Sequence, residues 1–209
     1  SVSTCFFWRH KILSVLGRSF NNAKLSNTIE INELKLTENF KGNRSIKPNI
    51  FNNRRNYVMI LSCLDSCENK LFKTSVINRI GRLDKEALDR FLAPSIENGK
   101  IIVVPPNDKY INFAKYYKLK ICMVGSYNHF IPGLDTKRAA SQSSMFKRFI
   151  KQFSSVASKY LSFYINWFII KTEQQKIPLG DMLDKFVNGE RQLRIHEFNR
   201  IQFDGSLTA

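Results

Sequence analysis

Acidic residues are scarce in this chain: 17 Asp and Glu stand against 33 Lys and Arg, a formal charge of +16 over 209 residues. A body so charged repels itself unless a polyanion neutralises it, which makes nucleic acid the first partner to consider. The cations run along the whole length, which suits a protein embedded in folded RNA better than one with a single basic tail. The segment from Ser1 to Lys24 holds no acid at all and is rich in serine. That composition fits an organellar transit peptide or its remnant, and equally an RNA-binding arm.

Other absences narrow the chemistry. Cys5, Cys63, Cys67 and Cys122 form no C-x-x-C pair and join no histidine at zinc-ligand spacing, so buried structural thiols are expected and no metal site. His10, His129 and His196 have no partners at ligand or triad spacing. The nine glycines are scattered and build neither G-x-G-x-x-G nor G-x-x-x-x-G-K-[ST], so no loop is suited to cradle a nucleotide phosphate. The rival class, an enzyme using a cofactor or small-molecule substrate on a doubly wound sheet, is disfavoured on these grounds. The longest apolar stretch, Tyr160 to Ile170, is interrupted by Ser162 and Asn166 and is too short for a membrane span.

What is present suffices for a core. A hydrophobic fraction of 43%, with 17 Phe, predicts one folded domain with terminal extensions. The most informative stretch begins at Gly99. Ile101-Ile102-Val103-Val104, stopped by Pro105-Pro106, reads as a buried strand of a parallel sheet. Asn107 is placed to cap a helix with Asp108 in its first turn and Ile111, Ala114 and Tyr117 on one face. Leu119 to Val124 then returns as a strand, completing a β-α-β unit.

Elsewhere the patterns are plainer. Residues 1–44 read as an irregular extension with a short helix around Trp8 to Leu16. Tyr57 to Leu61 reads as a buried strand. Leu71, Phe72, Ser75, Val76, Ile80 and Leu83 recur at helical spacing, and Asp84 to Asn98 suggests a short helix and a loop. Lys137 to Ser144 is polar. Met145, Phe149, Phe153, Val156, Tyr160 and Tyr164 then form the stripe of one long amphipathic helix, with a further helix predicted from Leu179 to Asn188.

The order of these blocks resembles a family, the small-subunit ribosomal proteins of the S-two family, in a divergent and mitochondrial form. Lys47-Pro48, Ile50-Phe51 and Arg55-Asn56 stand before the strand at Val58 to Cys63, as the family's Lys-Pro, Tyr-Ile-Phe-Gly and Arg-Asn do. Val103-Val104-Pro105-Pro106, Leu119-Lys120-Ile121-Cys122, Ser126 to Asn128 and Ile131-Pro132-Gly133-Leu134-Asp135 follow in the family's order, departing from it at Pro105, Cys122 and Leu134. The family's middle strand and its Arg-Trp-Leu-Gly-Gly loop have no counterpart between Arg82 and Gly99. The sheet is therefore expected to close smaller, or to be completed by another polypeptide or by an extension of this one.

The resemblance implies a reduced doubly wound, flavodoxin-like α/β domain over residues 45–165, a parallel sheet flanked by helices, with extensions at 1–44 and 166–209. It implies a structural protein of the small subunit of a mitochondrial ribosome, in the matrix rather than a plastid, touching ribosomal RNA and other small-subunit proteins, with no catalytic residue and no cofactor. For phosphate contact the candidates are Lys47, Arg54 and Arg55 in the first loop, Lys137 and Arg138 after the Ile-Pro-Gly turn, and Lys147, Arg148 and Lys151 on the last helix. Phe146, Phe149 and Phe153 are expected to pack in the core rather than to stack on bases. The alternative function is a peripheral subunit of a mitochondrial membrane complex, using the basic surface for anionic lipid and Tyr160 to Ile170 for interfacial contact.

Overall fold

The structure, a computed structural model, describes residues 1–21, 24–25, 27–39, 57–65, 72–78, 83–125, 131–153 and 156–173, together with the single positions 180, 184 and 187. Helix α1 (Val2–Asn21) is followed by strands β1 (Thr28–Thr37), β2 (Tyr57–Asp65) and β3 (Phe72–Asn78). Helix α2 (Lys85–Leu92), strand β4 (Ile101–Val104), helix α3 (Asp108–Tyr116), strand β5 (Lys120–Met123) and helices α4 (Lys137–Lys151) and α5 (Leu161–Glu173) complete the order. The five strands form one open sheet in the order β3-β2-β1-β4-β5. It is mixed, not parallel. β1 pairs with β2, and β2 with β3, antiparallel, whereas β1 to β4 and β4 to β5 are parallel.

The β-α-β unit stands as its residues predict. β4 and β5 are adjacent and parallel, Ile101 to Val104 facing Lys120 to Met123, and α3 crosses between them. The Asn107 side chain accepts the Lys109 backbone N–H at 3.2 Å, satisfying one of the donors that a helix start leaves unpaired. Tyr110, Phe113 and Ala114 are the buried residues of α3, with Ile111 and Tyr117 packed at the margin of the same core. Asp84 caps α2 in the same way, accepting from Ala87 N at 2.6 Å, so the short helix expected after Asp84 is present.

The segment expected to be an irregular extension instead supplies α1 and the central strand of the sheet. An extension of the chain thus fills the middle of the sheet, between β2 and β4. β1 alternates: Ile29 and Ile31 are buried in one core, while Leu34 and Leu36 pack against the other. Glu30 interrupts the apolar pattern at a buried position, which hides the strand from a reading by periodicity.

Two further expectations are corrected. Residues 72–78, expected in a helix, pair along β2 as a strand, with a register shift at Met59/Ile60. Thr74, Val76 and Ile77 are β-branched and favour that state, and the i, i+4 spacing competed with them in the sequence. The long helix is two. α4 begins at Lys137, so the polar stretch is its first half, and it ends at Lys151; α5 begins at Leu161 and crosses the boundary expected at 165. The predicted helix from Leu179 to Asn188 lies almost wholly outside the described residues.

Helices cover both faces of the sheet. On one side α2 and α3 pack on Ile29, Ile31, Met59, Leu61, Cys63, Ile102, Val104 and Met123. On the other, Ala139, Phe146 and Phe149 of α4 and Leu161, Ile165, Phe168 and Ile169 of α5 pack on Val58, Ile60 and Leu64 of β2. Phe146 and Phe149 are therefore core residues, as expected, and Phe153 packs at the edge of the same cluster. Each buried Phe contributes about 1.5–3 kcal/mol by leaving water. Met145, expected on the apolar stripe, lies outside, because the buried line of α4 runs through Ala139, Ser143, Phe146 and Phe149. α1 forms an outer layer on α5, where Asn166 Nδ2 donates to the Leu13 carbonyl at 3.1 Å.

Candidate nucleic-acid interface

The start of α4 is fixed by a turn whose sequence dictates its shape. In Ile131-Pro132-Gly133-Leu134, proline supplies a fixed φ at the second position and Gly133 takes φ 82° at the third, and Leu134 N donates to the Ile131 carbonyl at 3.3 Å. A side chain other than glycine is strained at that φ. Asp135 then accepts the Lys137 backbone N–H at 3.0 Å and pairs with the Lys137 ammonium at 3.0 Å. Those two contacts, with a smaller contribution from Arg138, hold the Asp135 carboxyl below its usual range.

Deeper in, Glu30 reaches the same helix end from the centre of the sheet. Its Oε2 accepts the backbone N–H groups of Arg138 and Ala139 at 3.2 and 3.3 Å. Its Oε1 accepts Arg138 Nε at 2.6 Å and also pairs with Arg138 Nη2. A helix N-terminus attracts anions because its first N–H groups are unpaired and the dipole is positive there. Here the anion is the chain's own carboxylate. The Glu30 side chain is 6% exposed and that of Arg138 47%, so the pair joins a buried charge to a half-solvated one.

The predicted contact residues accordingly divide. Lys47, Arg54 and Arg55 lie outside the described residues. Lys137 is exposed but tied to Asp135, and Arg138 is engaged by Glu30. Lys147, Arg148 and Lys151 stand exposed near the other end of α4, about 15 Å further along at 1.5 Å per residue. No acid occurs anywhere in α4. Cations at a helix C-terminus complement its dipole, which accounts for their tolerance there without a ligand.

One cation of this surface escapes the sequence reading. Lys171, in the last turn of α5, is exposed and places its Nζ 6.0 Å from the centroid of the Phe149 ring, beside the end of α4. Its signal was weak, because the expected boundary at 165 set it among the C-terminal extension. Lys147, Arg148, Lys151 and Lys171 thus occupy the ends of two packed helices. They can bind phosphate electrostatically, and nothing in their arrangement performs a reaction.

The other chemically notable groups serve packing. His10 is fully buried among Phe6, Tyr160, Phe163 and Tyr164, with Nδ1 2.7 Å from the Phe6 carbonyl. Burial lowers its pKa below the ordinary value of 6.5, the Phe6 carbonyl opposes that, and the Arg9 charge adds to the lowering. Arg9 itself lies over the Phe6, Tyr164 and Trp167 rings at 5.4, 5.6 and 5.2 Å and donates to the Tyr164 hydroxyl at 3.2 Å. Cys63 and Cys122 are buried in strands and Cys5 is exposed; Cys67, His129 and His196 lie outside the described residues. Among the described residues no His, Cys, Asp and Glu group has the geometry of a metal site, and no helix is long and apolar enough to cross a membrane. Compared with known proteins, the chain matches no family model and no curated protein.

Proposed function

We propose that this chain is a structural, non-catalytic constituent of the small subunit of a mitochondrial ribosome, in the matrix, binding ribosomal RNA and neighbouring small-subunit proteins. The observation that carries the reading is the acid-free, solvent-facing side of α4, where Lys147, Arg148 and Lys151 are joined by Lys171 from α5. Folded RNA is gripped mainly through its backbone, and clustered exposed cations on a rigid helix pair suit that contact. Glu30 supports the absence of nucleotide chemistry: the helix N-terminus that could receive a phosphate is neutralised from within. In this reading β4, α3 and β5 are the remnant of a doubly wound, flavodoxin-like sheet, and the antiparallel strands β1 to β3 replace the rest of it.

The peripheral-membrane alternative uses the basic surface for anionic lipid and Tyr160 to Ile170 for interfacial contact, and that stretch is mostly buried between the sheet and α1. Sedimentation of organelle lysate with and without ribonuclease, following the chain by mass spectrometry, tests the two. Co-migration with the small ribosomal subunit that collapses on RNA digestion is the expected result. Migration with a detergent-solubilised membrane complex, indifferent to ribonuclease, would replace the ribosomal reading.

A further inference from the structure

The solvent side of α4 carries a single ordered line. Lys137, Ser141, Ser144, Arg148 and Lys151 recur at spacings of four, three, four and three residues, which stacks them on one stripe of an α-helix. All five are exposed, opposite the buried line of Ala139, Ser143, Phe146 and Phe149. Their order is cation, hydroxyl, hydroxyl, cation, cation, with about 16 Å of axis between Lys137 and Arg148 at 1.5 Å per residue. Lys147 and, from α5, Lys171 stand beside the far end.

The two hydroxyls in the middle of the line have no role in holding the fold. Elsewhere such groups are satisfied within the chain: Ser95 Oγ donates to the Phe91 carbonyl at 3.5 Å, Thr172 Oγ1 to the Phe168 carbonyl at 2.7 Å, and Ser143 Oγ accepts from Asn32 Nδ2 at 2.8 Å. Ser141 and Ser144 have no hydrogen-bond partner among the described residues, so both are free to donate and accept outward. Lys147, Arg148 and Lys151 likewise have no acid in ion-pair reach among the described residues; Lys137 is paired with Asp135 and its side chain is still 87% exposed. The Glu30 carboxylate fixes the first turn of α4 to the sheet, so the line is presented on a rigid element.

What the line holds and lacks selects its ligand. It carries no aromatic side chain, and Met145 is the one large apolar residue of α4 exposed among the described positions. The bases of a single strand therefore find no ring to stack on, and a bilayer finds no apolar face to take up. Double-helical RNA displays 2′-hydroxyls along a wide, shallow minor groove between its two phosphate backbones, whereas the minor groove of B-form DNA is narrow and has no 2′-hydroxyl. Hydroxyls set between cations match that order of groups.

We infer that α4 lies across the minor groove of double-helical RNA, with Ser141 and Ser144 exchanging hydrogen bonds with 2′-hydroxyls while Arg148, Lys151 and Lys171 reach phosphate. This rests on the RNA-binding part of the proposed function and adds the form of the RNA: a duplex, read by shape and sugar without regard to base sequence.

The test is binding of the full-length chain to a short blunt RNA duplex, to the DNA duplex of the same sequence, to the single RNA strand, and to the RNA duplex with 2′-O-methyl sugars, which keeps the A form and removes the hydroxyl proton. The RNA duplex is expected to bind at least about tenfold tighter than the DNA duplex or the single strand. Methylation and the S141A/S144A variant are each expected to weaken duplex binding about three- to tenfold, and the methylated duplex to be indifferent to S141A/S144A, because both changes remove the same contacts. The salt dependence should be unchanged in S141A/S144A, whereas R148Q/K151Q should lower its log–log slope by about 2 on RNA and DNA alike. Alanine favours a helix more than serine does, so α4 is kept in S141A/S144A, and the methylated duplex reads the same contacts with no substitution at all. Equal affinity for the two duplexes, tighter binding of the single strand, or a methylated duplex bound as well as the unmodified one overturns the inference and leaves the ribosomal reading to the sedimentation experiment. Subunit association lost in R148Q/K151Q with no duplex bound would assign the line to an acidic neighbouring protein and overturns the inference too. A duplex preference that holds while the chain fails to sediment with the small subunit would sink the ribosomal reading alone.

Discussion

The two sides of the sheet are built alike and charged differently. Residues 83–125, which carry α2 and α3, hold seven Lys or Arg against five Asp or Glu; residues 131–173, which carry α4 and α5, hold seven against two. On the first side cations meet local partners, as Lys100 does with Glu97 at 3.7 Å. On the second, Glu30, rooted in the sheet, reaches the α4 start from outside the segment, and Lys147, Arg148 and Lys151 face solvent. A core on each face explains how the chain folds; the charge difference between them indicates where a polyanion would sit. If that comparison is right, one side can be neutralised with little effect on binding and the other cannot.

The largest effect is expected where the charged side is tied to the fold. Replacing Arg138 by Met leaves the Glu30 carboxylate buried with only helix N–H groups as partners, and is expected to cost about 3 kcal/mol of stability. Replacing Glu30 by Ala removes the carboxylate oxygen that accepts two helix N–H groups and strands Arg138 at the positive end of α4, at about 2 kcal/mol. Denaturant midpoints of both variants and of the double variant measure the coupling. A double-variant loss equal to the sum of the single losses would show that the two groups act separately and would detach α4 from the sheet's centre.

Next in size is binding. Neutralising Lys147, Arg148, Lys151 and Lys171 together is expected to weaken association with ribosomal RNA by about ten- to a hundredfold. It should also flatten the salt dependence by about 3 in log–log slope, each lost phosphate contact removing under one unit. The matched change on the balanced side, Lys85, Lys115, Lys118 and Lys120, is expected to do far less. Filter binding at several salt concentrations decides it, and equal losses from the two sets would erase the distinction between the sides.

These expectations were unevenly legible from the residues. The β-α-β unit could be read because Ile101 to Val104, the proline pair and Asn107 each favour the same outcome locally. β1 could not, because a buried Glu30 and a polar Asn32 sit on its face toward α4, and their partners, Arg138 and Ser143, lie more than a hundred residues away. Tertiary partners of that kind leave no local trace. The same cause hides the second role of Arg138: as a bare cation after a turn it looks available for phosphate, and only the folded chain brings the Glu30 carboxylate to it. The α4 cations were legible as basic residues on a predicted amphipathic helix, and Lys171 was not, because its neighbourhood is made by packing of α5 on α4.

A smaller effect is expected from pH. His10 has its pKa lowered by burial, so the folded chain resists protonation and the unfolded chain takes up a proton near the ordinary 6.5. The unfolded state therefore binds more protons as pH drops below 6.5, and stability is present above that value and lost on acidification. A fall in stability between pH 7.5 and 5.5 is expected, carried by undocking of α1 from α5. Replacing His10 by Phe, which suits the aromatic cage, should remove that part of the pH dependence. An unaltered profile would show that another group sets it.

The smallest effect belongs to the balanced side. Lys118 follows α3 with φ 53°, and Leu119 N donates back to the Ala114 carbonyl at 2.8 Å, the arrangement in which helices usually end on glycine. A lysine there carries the steric cost of the left-handed region, about 1 kcal/mol or somewhat more, partly offset because glycine has more freedom to lose on folding. Lys118→Gly is thus expected to stabilise the chain by about 0.5–1 kcal/mol, a rise of about 1–4 °C in thermal midpoint. It also deletes a cation from the α3 side of the sheet. Stability should therefore rise while RNA affinity stays put, the reverse of what neutralising Arg148 does; a matching drop in affinity would place a phosphate against α3 and move the polyanion to both sides of the sheet.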